Sequence, residues 1–485
     1  MIVKSNLELE VLPKYPQYER RKPEGSVLYE VVRNNYKTFL EETEMTPKGL
    51  SKQAKKEFEG FLTCGILAHG FLRMACPSCR TEFLLGFSCK GRGFCPSCIG
   101  RRMAEHAALL VDYVLPVVPM RQWVVTLPFK LRFWTAKNSK LKSAVLKIIT
   151  RQITSHYRKS GKIEYDIRGG KTAAVTVIQT SGGSINLNPH FHTVYMDGVI
   201  EDGRFYRSNA PTDVDIYKVL TKIYSKVVCY LQKKGYFDDC SEVDTEELLM
   251  NLLYEASIFG KAALGKDRGK KVERRGVFTG TEGIVRLKSD RCGELDGFSI
   301  HANTSVEGHQ RDRCEKLLRY IMRPPVANER LSFLEDGRVR YELKRPYSDG
   351  TTNLVYTQQE VMERLATIVP PARANIVRYH GLLAPNAKDR NLIIPRCGAV
   401  EKDKNDKKVD STGSGQVRPY RMSWAKILSR VFKTDLSKCQ KCGHEVKIIA
   451  SIIEQGAIVK ILKHLGLPHE APKLSPSRVP AFEFY

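Results

Sequence analysis

The stretch Ala173–Gly198, AAVTVIQTSGGSINLNPHFHTVYMDG, decides how this chain is read. Ala173 to Gln179 is rich in Val, Thr and Ile. Ser181-Gly182-Gly183-Ser184 is a turn signal, and Thr193 to Met196 stays apolar up to a second turn at Asp197-Gly198. The pattern predicts a β-hairpin whose second strand carries His190-Phe191-His192. Side chains at i and i+2 of a strand leave by the same face. Both imidazoles therefore emerge together, close enough to share one metal ion, while Phe191 points into whatever packs behind the sheet. Two strand histidines meeting solvent or a neighbour would give the same pattern, so a lone His-x-His is a weak metal signal. Its weight comes from the rest of the chain.

A chain of 485 residues, 42% hydrophobic, can build several domains with real cores. Its 79 Lys+Arg against 53 Asp+Glu give a net charge of +26. Such a balance points to a polyanionic partner, because each neutralised phosphate releases a counterion. The first 25 residues contain no apolar core of the kind a secretory signal needs. The most apolar stretches, such as Ala107 to Met120, are short and interrupted by Asp112 and prolines, so no membrane span is expected. Of the 13 cysteines, eight lie between Cys64 and Cys98 or at Cys439 and Cys442. That clustering argues for metal binding in a reducing compartment and against a disulfide framework.

Cys76-Pro77-Ser78-Cys79 and Cys95-Pro96-Ser97-Cys98 form a C-x2-C-x15-C-x2-C pattern, a strong structural-zinc signal. The spacing predicts one tetrahedral Zn²⁺ site closed by Cys76, Cys79, Cys95 and Cys98. Cys64 and Cys89 fall outside it and read as small buried hydrophobes, with a spare ligand pair as the second reading. Lys90, Arg92, Arg101 and Arg102 give the module a basic rim suited to DNA. Cys439, Cys442 and His444 make half a further site, either a relic or one that a partner completes.

Helices are predicted over 141–160, over 214–234 with Thr212 or Asp213 as the cap, and over 310–322, where Pro324-Pro325 stops the chain. In the last of these, Tyr320 lies beside the apolar stripe of Leu317, Leu318 and Ile321, between Arg319 and Arg323. A tyrosine there is a core or rim residue, or a nucleophile whose phenolate positive charge would stabilise. Residues 261–276 read as a basic loop, 297–306 as a strand containing His301, 327–358 as a β-meander, and 424–432 as an amphipathic helix.

Taken together, these motifs resemble the rolling-circle transposases of the insertion sequence 91 family, within the HUH superfamily. The likeness runs through SCKGRGFCPSC, INLNPHFHTVYMDGV, LLRYIMRPPVANERL, DGRVRYELKRPYSDGTT, VRYHGLLAPN and WAKILSRVFKTDLSKCQKCG, in that order. The resemblance implies an α+β chain: an antiparallel-sheet HUH nuclease domain with an N-terminal zinc-ribbon-like domain. It implies a helical segment over 1–50, a zinc-binding domain over 51–110, the strand-transferase domain over 111–330, and a β-meander with the C-terminal part of the transposase domain over 331–399. A linker over 400–418 and a basic tail with Cys-x-x-Cys over 419–485 follow.

The activity implied is single-strand nicking and rejoining of DNA through a 5′-phosphotyrosine on Tyr320, without ATP. His190 and His192 would hold Mg²⁺ or Mn²⁺ on the scissile phosphate; imidazole ligands suit Mn²⁺ better. Gln179, across the hairpin, is the expected third ligand, with His301 and His380 as competitors. Lys316, Arg319 and Arg323 would bind DNA. Some members carry a second tyrosine one turn earlier, where this chain has Lys316, so the likeness is to a single-tyrosine variant. A second protomer of a homodimer, or Tyr379, would then supply any other nucleophile. The partners implied are single-stranded DNA at element ends and target DNA, with no membrane, in the cytoplasm at the nucleoid. A zinc-dependent nucleic-acid-binding regulator without catalysis would share the cysteines and the charge. A nuclease using water would cut and leave no adduct.

Overall fold

A computed structural model of the chain describes residues 21–46, 48–237, 248–276, 290–347, 349–395, 430, 437–439 and 441–479. The linker expected over 400–418 lies outside the described residues, as does the helix expected over 424–432 apart from residue 430. The described residues fall into two compact units. One is drawn from Met1–Ser26, Thr63–Cys89 and Arg418–Lys473, the other from Val27–Leu62, Lys90–Val417 and Leu474–Tyr485. The folding is mixed helix and antiparallel sheet.

The larger unit is organised by the predicted hairpin, strands Ala173–Ser181 and Leu187–Met196, in the middle of a seven-stranded sheet. The strand order is Val377–Gly381, Ala173–Ser181, Leu187–Met196, Met120–Thr126, Phe298–His301, Cys292–Leu295, and Ser305–Val306 also pairs with Met120–Thr126. Every pairing is antiparallel. Alternation sorts the hairpin into two cores. Phe191 and Tyr195 join Trp123, Ile149, Ile153 and Tyr157 on one face, under the helices Ser139–Tyr165 and Asp213–Lys233. Val194 and Met196 join Val175, Val177, Leu110, Leu318 and Ile321 on the other, under Pro96–Tyr113 and Arg311–Ile321. The second long helix starts at Thr212, which forms a capping box with Asp215.

One buried ion pair pins the end of the histidine strand. Arg121 Nε and Nη2 donate to the two carboxylate oxygens of Asp197 at 2.9 and 2.8 Å. The hydroxyl of Tyr157 donates to Asp197 at 3.0 Å and accepts from the Trp123 indole at 3.0 Å. Every polar atom named here is satisfied, which is what makes such a buried charge tolerable.

The meander is larger than its sequence suggests. Leu331–Phe333, Val339–Glu342 and Thr351–Tyr356 form a four-stranded sheet with Glu273–Gly276, the end of the segment expected to be a basic loop. Cross-strand pairing absorbs its charges: Glu273 accepts from Arg275 and Arg338, and Arg274 donates to Asp349 at 3.0 Å.

The smaller unit is a three-stranded sheet in the order Lys447–Ile452, Phe71–Ala75, Glu82–Gly86. The helix Gln455–His464 sets Ile458 and Leu462 against Leu67, Phe71 and Leu84. Among the described residues no helix is long and apolar enough to cross a membrane.

Candidate active site and metal-binding cysteines

His190 and His192 leave the sheet by the same face, with ring centroids 4.9 Å apart. That face also carries Val194 and Met196, so the pair shares a side of the sheet with the helix Arg311–Ile321. His190 Nδ1 lies 2.6 Å from the Asn188 carbonyl. A carbonyl only accepts, so Nδ1 carries the proton and Nε2 keeps its lone pair for a cation. His192 Nδ1 lies 2.7 Å from the side-chain amide of Gln122. The amide atom in contact is Nε2, which donates to a lone pair on Nδ1 and leaves the ring proton on His192 Nε2; with the amide turned over, its oxygen accepts from Nδ1–H and frees Nε2 for a cation. Burial holds His190 down to about 4, against the Asn188 hydrogen bond and with help from Arg132 and Arg323. Burial, then His190 and Arg323, hold His192 well below its ordinary value. Both rings are therefore neutral near pH 7, the form that ligates metal.

Gln179 pairs directly with His190 in the hairpin register, on the same face. Its amide nitrogen donates to the Ile321 carbonyl at the end of the tyrosine helix. Its oxygen is thereby left as the donor atom of that side chain. Of the competitors, His380 is on the opposite face: its Nε2 is 2.9 Å from Thr176 Oγ1, which in turn meets Thr193 Oγ1 at 2.9 Å. His301 lies in the row of His192 but beyond Val124, two strands away or about 10 Å between backbones.

The helix Arg311–Ile321 buries Cys314, Glu315, Leu318 and Ile321 and leaves Tyr320 45% exposed. Arg311 anchors its start by donating to the carbonyls of Pro116, Leu115 and Val111 at the end of Pro96–Tyr113. Of the two arginines expected to flank the tyrosine, one does. Arg323 places its guanidinium 4.6 Å from the Tyr320 ring centroid. Arg319 turns back to Glu315, 3.9 Å away, because residues i and i+4 share a helix face. The second cation is Lys344, from the meander, with Nζ 4.8 Å from the ring centroid. Lys316 is exposed one turn before the tyrosine. A cavity of about 350 Å³ opens beside these groups, lined by Gln179, the Gly182-Gly183 turn, Arg323, Tyr341 and Lys344.

Tyr379 is paired with Val175, four residues or about 13 Å along the strand from the Gln179–His190 row. Burial pushes its phenol up, against the nearby Arg390. Both facts disfavour it as a second nucleophile at this site.

The cysteines are sorted differently from their spacing. Cys76 and Cys79 meet Cys439 and Cys442, with all four thiols within 4.8 Å of one another. Cys76 Sγ is 3.4 Å from Cys442 Sγ, and Cys79 Sγ 3.4 Å from Cys439 Sγ. Around a tetrahedral zinc with bonds of about 2.3 Å the sulfurs sit about 3.8 Å apart, so the set fits. The two knuckles have the same form. Cys76 N donates to Thr81 O at 2.9 Å and Cys439 N to His444 O at 2.7 Å. Arg80 and Gly443, each four residues after the first cysteine, have φ of 60° and 75°. Hydrogen bonds with the Thr81 hydroxyl and backbone pull the Cys79 thiol down to about 6, toward the thiolate a metal requires. The expected set of Cys76, Cys79, Cys95 and Cys98 is thus divided. Cys95 and Cys98 are not part of this quartet. The reason is local. Cys95 is the N-cap of a helix with Pro96 in its first turn, whereas Cys76-Pro77-Ser78-Cys79 runs through a turn into the strand Glu82–Gly86.

Sequence reading missed Gln122 and Lys344. Gln122 stands out only as an amide in an otherwise apolar strand. Lys344 carries no local signal, since only the chain's return brings the meander to the tyrosine.

Residues 173–391 match a family model described as "Putative transposase", and residues 31–127 match one described as "Transposase zinc-binding domain" of the insertion sequence 91 type. No curated protein and no solved structure matches the chain. The class is therefore a transposase with a zinc-binding domain, a DNA-processing enzyme. Together the two matches support a transposase of the insertion sequence 91 family.

Proposed function

We propose that this transposase has the HUH nuclease architecture and works by nicking and rejoining a single DNA strand, with Tyr320 as the nucleophile. The observation that carries the reading is Arg323. Its charge acts on both His190 and His192, and its guanidinium lies over the Tyr320 ring. One cation thus ties an exposed phenol to a pair of neutral imidazoles, a place where a phosphodiester can be bound and attacked. The neutral donor set of His190 Nε2, His192 Nε2 and the Gln179 oxygen fits a borderline divalent ion such as Mn²⁺ better than Mg²⁺. Such an ion, when bound, supplies Lewis-acid polarisation of the phosphate.

The chain's own residues do the rest. Arg323 and Lys344 draw the phosphate to Tyr320 and offset charge on its oxygens. The Tyr320 oxygen attacks phosphorus and loses its proton. The O–P bond to tyrosine forms as the bond to the 3′ oxygen breaks, and that oxygen takes a proton to leave a free 3′-hydroxyl. The 5′-phosphotyrosine keeps the ester, so attack by a 3′-hydroxyl reverses the step without ATP. Asn188 holds His190 in the tautomer that presents Nε2, and Gln122, with its amide turned to present oxygen, does the same for His192.

The test is an incubation with single-stranded element-end DNA and Mn²⁺ followed by denaturing electrophoresis. Wild type should give a denaturation-resistant adduct. Tyr320→Phe should give none while binding the DNA nearly as well. An adduct that survives Tyr320→Phe removes the nucleophile assignment. Cutting by wild type with no adduct makes water the nucleophile.

A further inference from the structure

The same sheet has a second basic surface, on the face opposite the histidines. A groove of about 650 Å³ runs between the helix Ser139–Tyr165 and the edge strand Val377–Gly381. Arg151, Arg158, Lys159, Lys162 and Arg168 line it, together with the hydroxyls of Thr154 and Ser155, and among the described residues no acidic side chain does. Arg151, Arg158 and Lys162 are spaced by seven and four residues, which puts them on one face of the helix as a wall about 16 Å long. All five cations are exposed. Arg168 has the exposed Asp166 3.8 Å away. Lys159 lies against Lys222, which its hydrogen bond and charge pull below the ordinary lysine value. Nearer the start of the helix, burial and then Arg378 push Lys142 down to about 8. Like charges crowded in this way are relieved by an anion. His380, which faces this side of the sheet, stands in the opposite wall and offers ring surface to a base.

We infer that this groove binds a second, single-stranded stretch of DNA through its backbone, on the reverse face of the sheet from the strand that Tyr320 attacks. The lining suits phosphates without regard to sequence: guanidinium and ammonium groups, hydroxyls and ring surfaces, with no carboxylate to select a base edge. A transposase must handle element and target DNA, and a sheet with one basic site on each face can hold two strands apart. The inference rests on the chain being a transposase, not on Tyr320 being the nucleophile.

The experiment uses the full chain carrying R158E/K162E, two exposed helix positions whose exchange leaves the core untouched. Binding of a 40-nucleotide single strand that lacks element-end sequence is measured by anisotropy across a salt series. The expected loss is about tenfold or more in affinity, and the salt slope should fall by about 1.4, for two phosphate contacts at about 0.7 each. R158K/K162R should bind as wild type does. Adduct yield on a short element-end oligonucleotide should be unchanged by R158E/K162E. Unchanged affinity and slope overturn the groove. Adduct yield that falls in step with binding overturns the separate-face assignment. Tighter binding of an RNA of the same sequence overturns DNA as the occupant. The binding arm reads out even if wild type forms no adduct, so its failure is distinct from failure of the phosphotyrosine reading.

Discussion

Two constellations of potential metal ligands in this chain are built in opposite ways. His190 and His192 are two residues apart on one strand, and the pleat alone sets their rings side by side. Cys79 and Cys439 are 360 residues apart, and Cys76 and Cys442 366, yet their sulfurs are equally close. A local pair needs only the correct secondary structure. A non-local quartet needs the strand Lys447–Ile452 to add in register to Phe71–Ala75 first. The histidine pair is therefore expected to resist distant changes, while the thiol quartet depends on the C-terminal segment staying paired.

His190→Ala should have the largest effect. Metal-dependent cleavage should disappear from the electrophoretic assay while DNA binding persists, and substantial cleavage by the variant would show that the pair is not the metal centre. Next, C439S/C442S should lower the zinc content by one ion per chain, measured by atomic emission, as this group of four thiols fits one ion. An unchanged zinc content would mean that Cys76 and Cys79 are closed by other ligands. Gln122→Leu sharpens the contrast, because it leaves both histidines in place and removes what orients one of them. Metal affinity, followed through the Mn²⁺ dependence of adduct formation, should fall about 10- to 100-fold. The smallest effect is Lys344→Ala. Loss of one exposed cation near the phenol should slow adduct formation several-fold and leave the Mn²⁺ dependence unchanged.

The legibility of these sites follows the same division. The hairpin, the histidine face, the tyrosine helix with its proline stop and the Thr212 cap were all readable, because each depends on residues within about one helix or hairpin of one another. Two identical Cys-Pro-Ser-Cys runs were not separable by inspection. They diverge because the residues after Cys98 continue as a helix, whereas those after Cys79 turn into a strand. Arg319 was expected beside Tyr320 on adjacency in sequence, but helical geometry turns it to Glu315. The basic loop over 261–276 ended as a strand because Thr351–Tyr356 offered it an edge.

The alternation that aims two imidazoles one way and Phe191 the other, the helix that exposes Tyr320, and the excess of positive charge are all written locally in the chain. These follow from periodicities of two and 3.6 residues and from composition. Long-range packing sets the rest: that Cys76 and Cys79 share a site with Cys439 and Cys442, that Gln122 meets His192, and that Lys344 joins Arg323 at the tyrosine. It alone separates a basic groove on one face of the sheet from the candidate nicking site on the other. Those contacts arise between segments far apart in the chain. No local periodicity encodes which strand edge or helix face a returning segment will meet.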